Sequence, residues 1–104
     1  MGCRAVAALL GAAALAACAP DSWRRAPEFN DFLRQIAQEC HPRSIGGMQI
    51  SNLTSDAFFL NQTSRLFHQV IPPREYVATI NAFYQGNNAA ALDCILERVP
   101  KEAP

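Results

Sequence analysis

The run from Ala5 to Ala17 holds no charged or polar side chain and comes directly after Arg4. No other feature constrains this chain as strongly. About 13 residues suit the apolar core of a secretory leader and fall well short of the roughly 20 needed to cross a bilayer as a helix. Read as a leader, residues 1–17 are an address and take no part in the fold. About 87 residues then remain, which is near the lower limit for a single hydrophobic core that stands without a covalent staple. The remainder of the chain is expected to be one small domain held by something besides packing.

The run closes on Leu15-Ala16-Ala17-Cys18. This resembles the lipobox of bacterial lipoproteins, in which an apolar residue and two small ones precede a cysteine. The resemblance covers about the first 18 residues, placed after a complete basic and apolar leader as the motif requires. It implies that the leader is cut before Cys18, that the Cys18 sulfur carries a diacylglycerol, and that the new amine is acylated. Several buried acyl chains would hold the domain firmly, at about 0.8 kcal/mol per methylene. Ala19 stands where an aspartate commonly retains such proteins at the inner membrane. The resemblance therefore implies an outer-membrane anchor with the domain facing the periplasm. Three other readings compete. Ala17-Cys18-Ala19 also fits the small-x-small rule of ordinary secretion, although cleavage there leaves Pro20 first. Met1-Gly2-Cys3 suggests N-acylation, but Val6 occupies the position that wants Ser or Thr. Cys18 can also be read as a residue inside a buried helix.

Residues 18–26 read as anchor and tether, with Pro20, Arg24, Arg25 and Trp23. From Pro27 onward the apolar residues recur at helical spacing. Phe29, Phe32, Leu33, Ile36, Ala37 and Cys40 form one stripe, with Pro27 suited to a first turn and Pro42 ending the helix. Arg43 to Leu53 reads as a loop around Gly46-Gly47, in which a short strand at Met48 to Ile50 has no obvious partner. Thr54, Ser55 or Asp56 caps a second helix running to about Gln69, with Phe59, Thr63, Leu66, Phe67 and Val70 on its inner face. Phe58 lies about 100° from that face and is a candidate exposed aromatic. Pro72-Pro73 starts a third helix, with Tyr76, Val77, Ile80, Phe83 and Tyr84 inward and Gly86 as its left-handed cap. Asn87 or Asn88 caps a fourth, with Leu92, Ile95, Leu96 and Val99 inward, and Pro100 ends it. The expected fold is all-α: a four-helix antiparallel bundle over 27–100, without a sheet, and then a loose tail at 101–104.

Cys3 leaves with the leader and Cys18 takes the lipid, so Cys40 and Cys94 remain. A pair of cysteines in an oxidising compartment reads as a disulfide, here joining the first helix to the last. A zinc site built from Cys40, His41, Cys94 and His68 would lack ligand spacing, so no metal and no cofactor is expected. A thiol nucleophile at Cys40 with His41 as base fails because adjacent helical residues point apart. There is no G-x-S-x-G and no phosphate-cradling loop, and the chain is expected not to be an enzyme. Nine basic and nine acidic residues lie evenly along the chain, which offers nothing to nucleic acid.

What remains is binding. A lipid anchor, a helical domain and a disulfide from the first helix to the last are similar in architecture to helical pilotins. Those small outer-membrane lipoproteins capture a helical tail of a secretin subunit. The likeness carries over no binding residues, and Phe58 and Tyr84 are the candidate groove-lining residues. The resemblance implies a protein partner in the envelope besides the lipid on Cys18. Two alternatives stand beside it: an inhibitor or immunity protein facing a toxin or hydrolase, which predicts a charged cleft, and a structural envelope lipoprotein, which predicts a featureless surface.

Overall fold

Pro27 opens the first element of the computed structural model, which describes residues 27–101. The leader 1–17, the lipidation site Cys18, the rest of the tether to residue 26 and residues 102–104 lie outside the described residues. Helix α1 runs Pro27–Glu39 and buries Phe29, Phe32, Leu33 and Ile36, the stripe that the spacing predicts. Fully burying such side chains contributes about 1.5–3 kcal/mol each before entropy is counted. Its outer face is polar, with an Asp31–Arg34 ion pair one turn apart. Cys40, just after the helix, is fully buried, and the His41–Pro42 peptide is cis.

The segment after Pro42 departs from the expected loop. Ser44–Ile45 (β1) and Met48–Gln49 (β2) form a two-stranded antiparallel ladder, with Ser44 opposite Gln49 and Ile45 opposite Met48. The expected absence of any sheet is thus corrected. The cause is the two-residue turn Gly46-Gly47, whose φ values of 60° and 79° are the positive pair that a type I′ hairpin requires. A second departure comes at once. Ile50–Leu53 forms a single helical turn, α2, which buries Ile50 and Leu53 and is closed by Thr54 Oγ1 donating to the Ser51 carbonyl at 2.7 Å. The domain therefore has five helices among the described residues, four long and one short, where four were expected.

Helix α3 runs Ala57–Phe67. Asp56 caps it, with its Oδ1 accepting from the Phe58 amide at 3.2 Å. The helix stops two residues before the expected Gln69. The Val70 amide donates to the Arg65 carbonyl at 2.8 Å and the Gln69 amide to the Leu66 carbonyl at 3.0 Å, with Gln69 itself at φ 60°. That bond pair is a Schellman cap, with a glutamine in the left-handed position that glycine usually fills. Val70, expected in the core stripe, is turned outward by it. Helix α4 spans Pro73–Phe83, begun by Pro72-Pro73, and buries Tyr76 and Ile80. Inside the core the Thr63 and Tyr76 hydroxyls bond each other at 2.8 Å. Helix α5 spans Ala89–Arg98 and buries Ala91, Leu92, Cys94 and Ile95.

Helix α1 packs on α2 and α5, α3 on α4, and the hairpin on α2 and α5. Cys40 and Cys94 form the disulfide, with Cα atoms 5.8 Å apart and a sequence separation of 54. It fastens the end of α1 to the middle of α5. Beside it Arg98 Nε reaches Glu39 Oε1 at 2.8 Å, and Arg98 Nη1 donates to the Cys94 carbonyl at 2.9 Å.

Candidate binding surfaces

The two aromatics singled out from the sequence fall in one cluster but in different roles. Tyr84 is only 6% exposed and belongs to the core, which corrects its assignment as a groove-lining residue. Its ring lies behind Phe83, and its hydroxyl donates to Asp56 Oδ2. The same Asp56 caps α3 with its other oxygen, so one carboxylate joins the start of α3 to the end of α4. Burial, together with the Asp56 charge beside it, pushes the Tyr84 phenol well above its ordinary value of 10.0.

Phe58 is partly exposed and stacks on Phe83, with ring centroids 4.0 Å apart and planes 21° apart. Sequence spacing assigned Phe83 to the inner stripe of its helix. It is instead 58% exposed, the outermost ring of the cluster. With Ala78, Thr79 and Ala82 of α4 the pair lines a shallow uncharged depression on the α3–α4 hairpin. Small side chains on α4 leave the rings standing clear of the surface. Aromatic residues with little covering them are the kind that anchor protein interfaces. Phe83 was missed because it sits three residues after Ile80, in register with the core stripe, while the helix ends at that very residue.

The end of the helix is set elsewhere. Tyr84 leaves the helix with extended backbone (φ −112°, ψ 98°), and Gly86 has φ 139°. The expected left-handed glycine cap directly on the helix is thus replaced by an extended exit. Asn88 then sits at the N-cap position of α5, yet its side chain makes no capping bond. It is 2% exposed and is used for tertiary bonding instead. Its Oδ1 accepts from the Gly46 amide at 2.8 Å, and its Nδ2 donates to the Tyr84 carbonyl at 2.6 Å and to Asn81 Oδ1 at 3.0 Å. Gly46 is forced by this approach as well as by its φ, since a Cβ there would lie 3.0 Å from Tyr84 Cβ.

A second, deeper depression of about 470 Å³ lies where the end of α3 meets the end of α5. Leu66, Ile71, Leu96 and Val99 supply its apolar wall, and Gln69 bridges its rim by donating to the Pro100 and Lys101 carbonyls at 3.1 and 3.2 Å. Val70 stands on its edge, 67% exposed. A smaller depression beside the disulfide carries mixed charge from Arg43, Asp93, Glu97 and Arg98, with Arg43 Nη1 at 3.6 Å from Cys94 Sγ.

Among the described residues no three or more His, Cys, Asp or Glu side chains are grouped to hold a metal ion, and no helix is long and apolar enough to cross a membrane. What the fold defines is a class: a small all-α domain stapled by one disulfide. No protein-family model matches the chain, and neither do any curated protein or solved structure.

Proposed function

We propose that this chain is an outer-membrane lipoprotein, anchored through Cys18, that binds an envelope protein and assists its assembly in the manner of helical pilotins. The observation that carries the reading is the stacked Phe58–Phe83 pair raised over Ala78 and Ala82 on a firmly braced helical hairpin. An apolar stripe of a partner helix fits such a surface, with the aromatic rings as anchors and the alanines permitting close approach. The hairpin is well suited to present it. Asp56 and Asn88 fix the exit of α4, so the rings are ordered before a partner arrives and little freedom is lost on binding. The nearest counterpart of the charged cleft that an inhibitor or immunity protein would use is the small depression beside the disulfide, where Arg43, Arg98, Asp93 and Glu97 give mixed charge and not a field of one sign.

The test is crosslinking in living cells. A photoreactive residue replacing Thr79 should capture one envelope component, and that component should reach the outer membrane only when Cys18 is intact. Phe83→Ala should weaken capture by about tenfold or more, as loss of an interface anchor does. Its mainly exposed ring makes the cost to folding small. Capture of soluble toxins or hydrolases would replace this reading with the inhibitor one. Capture unaffected by Phe83→Ala would remove the aromatic pair from it.

A further inference from the structure

We infer that the end of the domain carrying Val70, Lys101 and the α3–α5 depression rests on the phospholipid surface that holds the anchor. This rests on the Cys18 anchor of the proposed function and adds a second, non-covalent contact.

Val70 is an exposed apolar side chain that its own cap leaves uncovered. In a Schellman cap the residue after the left-handed position usually packs an apolar side chain against the helix, at the residue whose carbonyl its amide reaches. Here that residue is Val70 and its counterpart is Arg65. Arg65 keeps its charged end toward water and does not cover Val70, which stays 67% exposed. Pro72 and Pro73 beside it are exposed too. A valine-proline turn standing out from an apolar depression gains free energy when it meets an interface rather than water.

The tether enters the domain at the same end. Residues 18–26 span at most about 30 Å even fully extended. The tether enters the domain at Pro27, and the first turn of α1 lies against the last turn of α3. Phe29 is 5.6 Å from Phe67 and 6.3 Å from His68 between ring centroids. The chain therefore joins the domain beside the same end of α3 that bears Gln69 and Val70. The Phe58–Phe83 pair lies at the other end of the α3–α4 hairpin, about 15 Å along α4 at 1.5 Å per residue. With the tethered end resting on the membrane, the aromatic surface points away from it.

Charge favours an anionic surface. Arg65 and Arg74 flank the turn and Lys101 lines the depression, and none is in an ion pair among the described residues. Arg24 and Arg25 precede the domain in sequence. The acids of this end are Glu28, in the first turn of α1, and Glu75, in the first turn of α4, and Asp21 and Glu102 flank the domain in sequence, so five cations stand against four acids. Exposed cations around an apolar wedge suit anionic phospholipid headgroups.

The experiment uses the full acylated chain, extracted from membranes and reconstituted in vesicles. Val70→Cys and Ala82→Cys, both at exposed positions, are each labelled with a fluorophore, and lipids bearing a headgroup quencher report proximity. Retention of the Cys40–Cys94 disulfide, read by thiol counting, shows that each variant is folded. In phosphatidylglycerol vesicles the label at position 70 should be quenched at least about threefold more than at position 82. Phosphatidylcholine vesicles, added salt, or Arg74→Glu with Lys101→Glu should each shrink that difference, because the steering is electrostatic. Equal quenching at both positions on an acylated chain overturns the docking and leaves the anchor standing. A difference that ignores lipid charge, salt and charge reversal overturns the assignment to anionic headgroups. Intact mass of the extracted protein reports the acyl groups separately. Their absence from Cys18 removes the anchor and the docking with it.

Discussion

Asn88 shows how far one side chain can depart from the part its position suggests. It stands where a helix-capping asparagine belongs, but it joins the β-hairpin, the exit of α4 and Asn81 through three hydrogen bonds. Removing it strands a hairpin amide and a carbonyl near the core, and each unsatisfied buried group costs about 1–3 kcal/mol. Asn88→Ala should therefore lower unfolding stability by about 2–4 kcal/mol in urea titrations, whereas an ordinary cap loss costs about 1 kcal/mol. A loss at or below the cap value would show that water takes over these bonds. Tyr84 and Tyr76 carry the pH dependence. Burial raises both phenols above their ordinary value, so the folded state holds protons that the unfolded chain releases. The associated stability is fully present below pH 10 and declines as pH rises beyond it. Titration of unfolding stability should be flat on this account from about pH 8 to 9 and fall above about 10, with a smaller fall in Tyr84→Phe. Equal slopes in the two proteins would remove Tyr84 from the effect.

At the level of elements, two turns carry backbone conformations that can be tested directly. Gly46 and Gly47 both have positive φ, but only Gly46 is crowded, with Tyr84 Cβ 3.0 Å from where its own Cβ would be. Gly47 has open space around the same position. Gly47→Ala should cost about 1–2 kcal/mol, the penalty of a left-handed conformation for a residue with a Cβ. Gly46→Ala should cost clearly more, and thermal melts of the pair separate strain from crowding. The cap of α3 runs the other way. Gln69 already bears the left-handed penalty, offset by two solvent-exposed bonds to the chain end. Gln69→Gly should raise stability by roughly 0.5–1 kcal/mol, because exposed hydrogen bonds contribute little net. A melting temperature unchanged or lowered would mean that the ties to Pro100 and Lys101 outweigh the backbone gain.

For the whole molecule the disulfide is the covalent tie between the two ends of the fold. It closes a loop with a sequence separation of 54, joining α1 to α5 across the core. Chain entropy assigns such a loop about 4 kcal/mol, a large share of what a domain this small can have. Cys40→Ala with Cys94→Ala should lower stability by about that amount, measured by denaturant unfolding of the oxidised wild type and the double variant. A loss under about 1 kcal/mol would mean that the α1–α5 packing and the Arg98–Glu39 pair hold the ends unaided. The molecule also separates its two apolar surfaces. The aromatic pair and the α3–α5 depression sit at opposite ends of the α3–α4 hairpin, so in the proposed function one end would face the anchor and the other the partner.

The four long helices were legible because each buries a stripe at a spacing the backbone imposes, as Phe29, Phe32, Leu33 and Ile36 do in α1. The pairing of Cys40 with Cys94 was legible because reading Cys3 as part of a leader and Cys18 as a lipidation site leaves those two. The hairpin was half legible: Gly-Gly between two short segments is a turn signal, but a two-residue ladder is too short to show alternation. Beyond these, tertiary structure decided. Periodicity places a residue on a helix face only while the helix lasts, so Phe83 and Val70, at or just beyond helix ends, were free to take other directions. Where those ends fall is settled by groups distant in sequence, with Asp56 holding Tyr84 and Asn88 holding Gly46. Local propensity determined which segments became helices. Local caps, together with long-range hydrogen bonds and packing, decided where they stop, and with that which aromatic ring the domain shows to its surroundings.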